Sequence, residues 1–423
     1  MGVSSTKSAV TTTVGGCTAG RQPTGTRPPP GWQCPYATAG PTPAEDARVA
    51  RDQVAIVHDY LTQRGGAERV VLAMARAFPR APIYTSLYEP ESTFGEFAHH
   101  EVRVTGLNRV GLLRRRHRLA LPLLAPSFSR LVVDADVGLC STSGWSHGAG
   151  VTGRKVVYWH APARWLYQTD RYLGRREIGS PSPDLQRVGL RVLSPALRSW
   201  DRRAARSGDR SLVNSSATLD RVRALYGITA EVLPPPPALL AGGPSRPIPG
   251  IEAGFWLCVA RLLPYKNVDA VIEAIAARPG DRLIVVGTGP EQERLRGLAS
   301  PAVTFAGQIE DDQMRWCYEN CRALVSASYE DFGLTPLEAA SFGRPSAVLD
   351  FGGHRDTVIP DRTGILFRRP EPRAVAEALG RIAERKWDET VLREHVERFS
   401  ESRFAARLQS VVAEELEVAG TDR

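Results

Sequence analysis

Two cations five residues apart, Arg261 and Lys266, flank Pro264 in a turn that follows the apolar run 255–259. At a strand's carboxyl end facing a cleft, such a pair can neutralise a diphosphate; on an open surface the same residues are ordinary solvated charges. A departing nucleoside diphosphate gains negative charge in the transition state. Fixed cations therefore favour departure more than binding, and they can replace a divalent metal. A second loop, from Glu330 to Glu338 (EDFGLTPLE), follows the run 323–326. Thr335, Pro336 and Glu338 fit the N-cap, N1 and N3 positions of a helix, so the spacing predicts a capping box and gives Glu338 a structural duty. Gly333 frees the backbone where it turns into that helix, and the unpaired N–H groups there suit phosphate oxygens. Glu330 lies outside the capping scheme and is free to accept hydrogen bonds from sugar hydroxyls.

Four more loops follow apolar runs. Gly65 and Gly66, in QRGGAE, open a helix and would let a ligand approach its N-terminus; a tight strand-to-helix turn needs the same residues. Phe351 to Thr357 (FGGHRDT) is another Gly-Gly turn. Gly287-Thr-Gly-Pro290 and Gly307-Gln-Ile-Glu310 could wall a base pocket. His160 precedes Ala161-Pro162 in a loop after a strand; His58 ends a strand and reads as structural, with Asp59 and Tyr60 as its expected partners. Asp134-Ala-Asp136 has the look of a metal motif but falls at a strand's start, the wrong end for a ligand. Cys317 and Cys321, four apart on an expected helix, read as core packing. No metal is expected.

These loops need elements to hold them. Short β-branched runs alternate with amphipathic stretches, which argues for parallel sheets built from βαβ units. Strands are expected at 54–58, 83–86, 137–141, 155–159 and 211–213, then at 255–259, 283–286, 303–305, 323–326, 346–349 and 365–367. Helices are expected at 65–78, 267–277, 292–298, 312–320, 336–342 and 372–385. The segment 231–250 holds four consecutive prolines and reads as a linker. The organisation expected is a disordered tail at 1–47, a doubly wound domain at 48–232, a linker at 233–250, a second doubly wound domain at 251–398, and a helix at 399–423 packing back on the first. Ligands bind such sheets at the carboxyl ends of their strands.

Composition bounds the alternatives. Hydrophobic content of 42% and charged content of 24% over 423 residues fit a soluble protein of two or three domains. No apolar run reaches the ~18–20 residues a membrane span requires. The first 47 residues lack the apolar core of a secretory signal and carry few large apolar side chains. Six cysteines in so long a chain make no disulfide framework, so a cytoplasmic location is expected. The net charge of +8 suits partners bearing phosphate. A dinucleotide-binding oxidoreductase would need G-x-G-x-x-G at the first helix, and the Arg64-Gly-Gly-Ala-Glu68 spacing differs. No nucleic-acid motif is present, and no nucleic-acid partner is expected.

The run from Phe255 to Phe367 resembles the second domain of the retaining glycosyltransferases of family 4. The resemblance rests on RLLPYKNVDAVIEA, LIVVGTGPEQERL, VTFAGQI, the E-x7-E of EDFGLTPLE, and GRPSAV followed by a Gly-Gly turn and RTGILF. VAIVHDYLTQRGGAERVV and VVYWHAPARWLY resemble the bacterial mannosyltransferase branch, and the likeness spans about residues 53 to 415. It implies the GT-B architecture, two Rossmann-like domains facing each other across a cleft. It also implies metal-independent, retaining transfer of a hexose from GDP-mannose or a UDP-sugar to a glycan or lipid-linked glycan, in polysaccharide biosynthesis. Arg261 and Lys266 would bind the diphosphate, Glu338 the ribose and Glu330 the transferred sugar. Gly333, Leu334 and Thr335 would lend backbone donors, and Gly65 and Gly66 would face the diphosphate. His160 would lie by the reacting sugar and Arg164 would help hold the acceptor. Two departures stand out: Asp356 where the family often has Glu, and Pro-Pro-Pro-Pro-Ala where it usually has Pro-Pro-(Val/Ile)-Asp. A GT-B epimerase is the alternative within the fold; it should carry further carboxylates, and none is well placed.

Residues 101–130 hold seven arginines, one acid and interleaved leucines. Such a surface can lie on an anionic membrane, which would suit a lipid-linked acceptor and a peripheral location; an ordinary exposed helix has the same pattern.

Overall fold

The computed structural model describes residues 52–115, 117–169 and 185–421. The expected tail at 1–47 lies outside them. Among the described residues, the strands are β1 Asp52–His58, β2 Ile83–Thr85, β3 Val102–Val104, β4 Val132–Val133, β5 Ala135–Thr142, β6 Gly150–Val151, β7 Arg154–Trp159, β8 Arg210–Val213 and β9 Glu231–Val232. They continue as β10 Phe255–Val259, β11 Leu283–Val286, β12 Val303–Gly307, β13 Cys321–Ser326, β14 Ser346–Leu349 and β15 Gly364–Phe367. They form two parallel sheets, ordered β3-β2-β1-β5-β7-β8-β9 and β12-β11-β10-β13-β14-β15, with β4 and β6 as a small separate pair. The central strands are largely apolar because helices cover both faces: every residue of Leu283–Val286 is buried.

In the second sheet, Val268, Val271, Ile272 and Ile275 sit at helical spacing on Val268–Ala276 and share a core with Trp256, Cys258 and Val285. In the first, Val70, Val71 and Met74 of Gly66–Ala77 share a core with Ile56 and Val137. The C-terminal helix Glu401–Thr421 adds Phe404, Leu408, Val411 and Val412 to that same core. Each such side chain contributes roughly 1.5–3 kcal/mol by leaving water.

Both sheets reverse strand order once, between β1 and β5 and between β10 and β13. Those switch points open a crevice at the strands' carboxyl ends. The loops that carry Gly65 and Gly66 and those that carry Arg261 and Glu330 follow β1, β10 and β13, three of the four strands concerned.

Several local expectations fail. The capping box is not formed. Gly333, at φ 88, is the residue before Leu334–Ser341, and no side chain caps that helix. Gly333 is wedged against His354, where a Cβ would lie 2.7 Å from Cδ2, so the chain turns into the helix earlier than Thr335. Thr335 is therefore inside the first turn and Glu338 is beyond N3. Cys321 is not on the helix with Cys317; it begins β13, and both thiols are buried in one apolar cluster. Residues 231–232, at the head of the proline-rich segment, form the edge strand β9, ahead of the expected linker at 233–250. The Asp134–Asp136 expectation, by contrast, holds: Asp134 stands before β5 and Asp136 near its amino end, the opposite end from Ser141. Strand β3 and the helices Ser216–Tyr226 and Glu389–Glu397 were not anticipated.

Candidate active site

The loops after β10 and β13 are stitched together. Asn267, left-handed at φ 47, donates through Nδ2 to the Ala327 carbonyl at 2.8 Å, and Tyr329 N donates to Tyr265 O at 3.1 Å. Asn tolerates this conformation better than most residues. The stitching brings the Lys266 ammonium onto the Glu330 carboxylate as an ion pair. Burial raises the Glu330 pKa, but Lys266 first, then His354 and Arg164, hold it down at about 2. Arg261, one turn earlier, is exposed and makes no ion pair with a described residue.

Glycines hold both loops from behind. A Cβ on Gly287 would lie 2.1 Å from the Ala260 carbonyl, and one on Gly289 would lie 2.3 Å from that of Leu262. Leu262 N donates to Thr288 O at 3.0 Å, so the GTG loop clamps the backbone on either side of Arg261. In the same way a Cβ on Gly352 would lie 1.8 Å from the Glu330 carbonyl, and one on Gly353 would lie 2.2 Å from Phe332 Cα. Glycine is required there by backbone-to-backbone contact. The 287–290 loop, expected as one wall of a base pocket, and the Gly-Gly turn at 351–357 both support the site loops from behind.

The first sheet supplies a buried polar cluster. His58 Nδ1 lies 3.0 Å from the Ser141 carbonyl and 3.1 Å from Ser141 Oγ, which lies 2.8 Å from His160 Nε2. Its hydrogen-bond partner is Ser141, which the sheet pairs with His58 directly, while Glu68 and the expected Asp59 act on its charge. Burial lowers the His58 pKa, but Glu68, aided by Asp59, outweighs burial and raises it. Burial, and then the His58 charge, push His160 down to about 3. Asp59 instead accepts the N–H groups of Ser143 and Ser146, both at 2.7 Å, and fixes the loop after β5. Trp145 in that loop stacks on Trp165 at 4.3 Å, which seats the short helix Arg164–Tyr167.

The two halves meet here. Arg164 and Arg221 of the first both pair with Asp331 of the second, and Arg164 lies over the Tyr265 ring at 5.1 Å. Ser215, whose side chain caps Ser216–Tyr226, also donates to the Asp331 carbonyl at 2.6 Å. Asn214 Nδ2, next to it, donates to the His160 carbonyl at 2.8 Å. Asp356 accepts from Ser216 N at 2.8 Å and Oγ at 2.7 Å, so this departure from the family pattern is a bridge between halves.

The expected site residues thus divide. Lys266, Glu330 and Arg164 converge around Tyr265 and Asp331, and His160 stands three hydrogen-bond contacts from Asp331 through Asn214 and Ser215. Gly66 faces Leu334 across the halves, where a Cβ would lie 3.3 Å from Cδ1. Gly65 has extended backbone; its missing Cβ makes room for the Glu68 carboxylate, 2.5 Å from where that atom would be. Leu334 and Thr335 lie in a first turn whose N–H groups have no partner within the helix. Glu338 turns away toward the Tyr318 hydroxyl at 2.7 Å and the backbone of Ala238 and Leu239, and burial raises its pKa. The backbone just after the four prolines of the linker therefore rests on Glu338. Asp331, Tyr265, Arg221, Glu68 and His354 were not singled out. His354 donates from Nδ1 to the Leu349 carbonyl at 3.1 Å, and its buried Nε2, against Gly333, has no partner among the described residues.

Two doubly wound parallel sheets whose switch-point loops meet in one polar site define a GT-B protein. The Glycosyltransferase Family 4 model matches residues 64–236 and the Glycosyl transferases group 1 model matches residues 250–402. The chain belongs to glycosyltransferase family 4, and it is a glycosyltransferase.

It is 28% identical over 354 residues to a GDP-mannose-dependent alpha-mannosyltransferase of Mycobacterium tuberculosis, covering 77% of this chain and 87% of that one. It is 27% identical over 234 residues to one of the same description from Mycolicibacterium smegmatis, covering 50% of this chain and 60% of that one. Among solved structures, sucrose-phosphate synthase from Thermosynechococcus elongatus superposes with a TM-score of 0.63 at 18% identity, over 87% of this chain and 100% of that one. HepE of Anabaena in complex with UDP gives 0.61 at 18% identity, over 86% and 100%. These two share the fold. Among the described residues no helix is long and apolar enough to cross a membrane.

Proposed function

We propose that the protein transfers mannose from GDP-mannose to a hydroxyl of a glycan or lipid-linked glycan, with retention and without a divalent metal. The observation that carries this reading is the Lys266–Glu330 pair at the β10–β13 switch point, facing Arg164 of the other half. The Mycobacterium tuberculosis relative supports the sugar and nucleotide. A diphosphate arriving here would draw Lys266 off Glu330, and Arg261 is free to join it. Glu330, ionised throughout the working range, is then released to accept from the sugar hydroxyls. Leu334 and Thr335 offer backbone N–H groups to the phosphates, and Gly333 and Gly66 keep the approach open. Glu338 must exchange its hold on Tyr318 for the ribose hydroxyls.

The chemistry that fits is front-face displacement. The glycosidic bond to phosphate opens, and the phosphate oxygen leaving it takes the proton of the acceptor hydroxyl that attacks the same face. Cations at the diphosphate stabilise that departure in place of a metal. His160 is placed to hydrogen-bond the sugar, and Arg164 to hold the acceptor. A UDP-sugar donor is the competing reading. Release of GDP from GDP-mannose only when acceptor is added, unchanged by a chelator, would support the proposal. GDP release that needs added divalent metal, or turnover with UDP-sugars alone, would overturn it.

The acceptor reading extends to an anionic membrane at residues 101–130. Val110, Leu112, Leu119 and Leu123 are exposed, at 48%, 57%, 46% and 44%, beside exposed Arg109, Arg115 and Arg130. Sedimentation with anionic vesicles, weakened by salt, is the expected result; no salt-sensitive binding removes the membrane from the proposal.

A further inference from the structure

The polar cluster of the first sheet fixes where its protons are. A carbonyl oxygen only accepts, so His58 Nδ1, 3.0 Å from the Ser141 carbonyl, must carry a hydrogen. Glu68 is 1% exposed, accepts from Gln63 Nε2 at 2.9 Å, and is close enough to His58 to act on its charge. Glu68 raises the His58 pKa against the effect of burial, which favours the charged ring but is not needed for the proton on Nδ1. The His58 Nδ1–H also points at Ser141 Oγ, 3.1 Å away, so the hydroxyl cannot donate back to it. The hydroxyl proton is left for His160 Nε2, at 2.8 Å. A nitrogen that accepts in a neutral imidazole leaves the hydrogen on the other one.

We propose that Glu68, His58 and Ser141 are positioning residues that hold His160 in the tautomer with its proton on Nδ1, so that His160 serves the reaction as a hydrogen-bond donor and not as a base. The ring is oriented as well as protonated by this arrangement. His160 N donates to the Thr142 carbonyl at 2.9 Å, its carbonyl accepts from Asn214, and Tyr158 packs against its ring with centroids 5.2 Å apart. Nδ1 makes no hydrogen bond with a described residue. The titratable groups facing the two rings are Glu68, Asp59 and Tyr158. Burial raises the Tyr158 hydroxyl well above its usual value, and the His58 charge beside His160 opposes a second positive charge. A donor at Nδ1 fits a mechanism in which the phosphate takes the acceptor's proton, because no protein base is then needed. The duty of His160 in transfer rests on the reading proposed above; its tautomer does not.

The test is a long-range proton–nitrogen correlation spectrum of the full chain labelled with 15N-histidine and free of donor. The His160 signals are identified by their loss in His160→Gln. The expected result is a neutral His160 ring protonated on Nδ1 from about pH 5 to 9, beside a His58 that keeps its Nδ1 proton throughout. In Ser141→Ala the proton moves mainly to Nε2, and in Ser141→Thr, which keeps the hydroxyl, it stays on Nδ1. With GDP-mannose, kcat falls about tenfold or more in Ser141→Ala at little change in KM, and Ser141→Thr restores it. A wild-type His160 protonated on Nε2 overturns the relay, and this reading is made on the wild-type protein, with His160→Gln used only to assign its signals. Correct tautomers with unchanged turnover in Ser141→Ala overturn the assigned duty of His160 and leave the donor site untouched.

Discussion

The two halves of the molecule hold their site residues by opposite means. In the second, the charged side chains lie on loops, and the loops are held by backbone packed against glycine: Gly287 and Gly289 behind Arg261, Gly352 and Gly353 behind Glu330. In the first, the polar groups lie at the ends of buried strands and are held by one another, as His58, Ser141 and His160 are. A loop held from behind leaves its side chain free to change partner, which a cation exchanging a carboxylate for a diphosphate must do. A chain of buried hydrogen bonds allows no such exchange and suits a group whose protonation must not vary. The largest expected effect therefore falls on Lys266. Replacing it with alanine removes a cation from the departing diphosphate and should lower kcat/KM for GDP-mannose by about 10²–10³-fold, in the range found when one transition-state donor is removed. Initial-rate measurements check this, and a change below about tenfold would put the diphosphate elsewhere.

The supporting glycines give the next test. Alanine at Gly352 would meet the Glu330 carbonyl at 1.8 Å, with φ at 60, so the strain falls on backbone. A loss of about 2–4 kcal/mol in stability is expected from overpacking and the left-handed conformation together. Alanine at Gly65 meets the Glu68 carboxylate at 2.5 Å, a side chain that can move, and the backbone there is extended. Its cost to folding should be clearly smaller, while it disturbs His58. Denaturant titration of both variants would sharpen the contrast; equal losses would break it.

Acid and base should separate the halves as well. The carboxyl of Glu330 is held at about 2, below its ordinary value, so its pairing stabilises the fold above about pH 4.5 and is lost as pH falls toward 2. His58 is raised above its ordinary 6.5, so its pairing with Glu68 is fully present below that pH and is lost as pH rises through the raised value. Lys266→Met should flatten the acid limb of a stability profile, and Glu68→Gln the neutral-to-alkaline limb. Each change should be on the order of 1 kcal/mol, as for hydrogen bonds to charged groups. Both variants altering the same limb would contradict the assignment.

The same contrast decides what could be read from the sequence. The second half follows its chain: β10, β11 and β14 have the expected bounds, and Arg261, Lys266 and Glu330 each lie a few residues beyond an apolar run. Local spacing misled where a tertiary neighbour intervened. Thr335, Pro336 and Glu338 look like a capping box, but the contact of Gly333 with His354 moves the helix start, and Glu338 goes to Tyr318 and the linker. In the first half the decisive partners are far apart in sequence. Nothing near His58 names Ser141, 83 residues on, and Asp331 gives no local sign that Arg164 and Arg221 pair with it. Glu68 was within the glycine motif, but a glycine that makes room for a ligand and one that makes room for a carboxylate look alike. Five residues before Gly333, Ser328 belongs to a loop whose partner is equally remote, since its hydroxyl reaches the Lys266 carbonyl at 3.4 Å.

The smallest effect is expected where the halves touch by exposed charge alone. Arg69, on the helix after the glycine pair, reaches Asp311 at 2.9 Å, and Arg64 lies 3.9 Å from Glu310. The carboxylates are 51% and 71% exposed, so water and salt screen both pairs. Arg69 also lies over the Phe94 ring at 4.1 Å, a contact that survives any change at Asp311. Asp311→Asn should therefore cost no more than about 0.2–1 kcal/mol, and the loss should vanish in high salt. Arg164 and Arg221 meet an Asp331 side chain only 6% exposed, where removing the acid strands two cations. Asp331→Asn should cost several times as much and resist salt. Denaturation of the two variants at low and high ionic strength gives both numbers. Equal, salt-sensitive losses would mean that the halves are held together by their rim and not by the site.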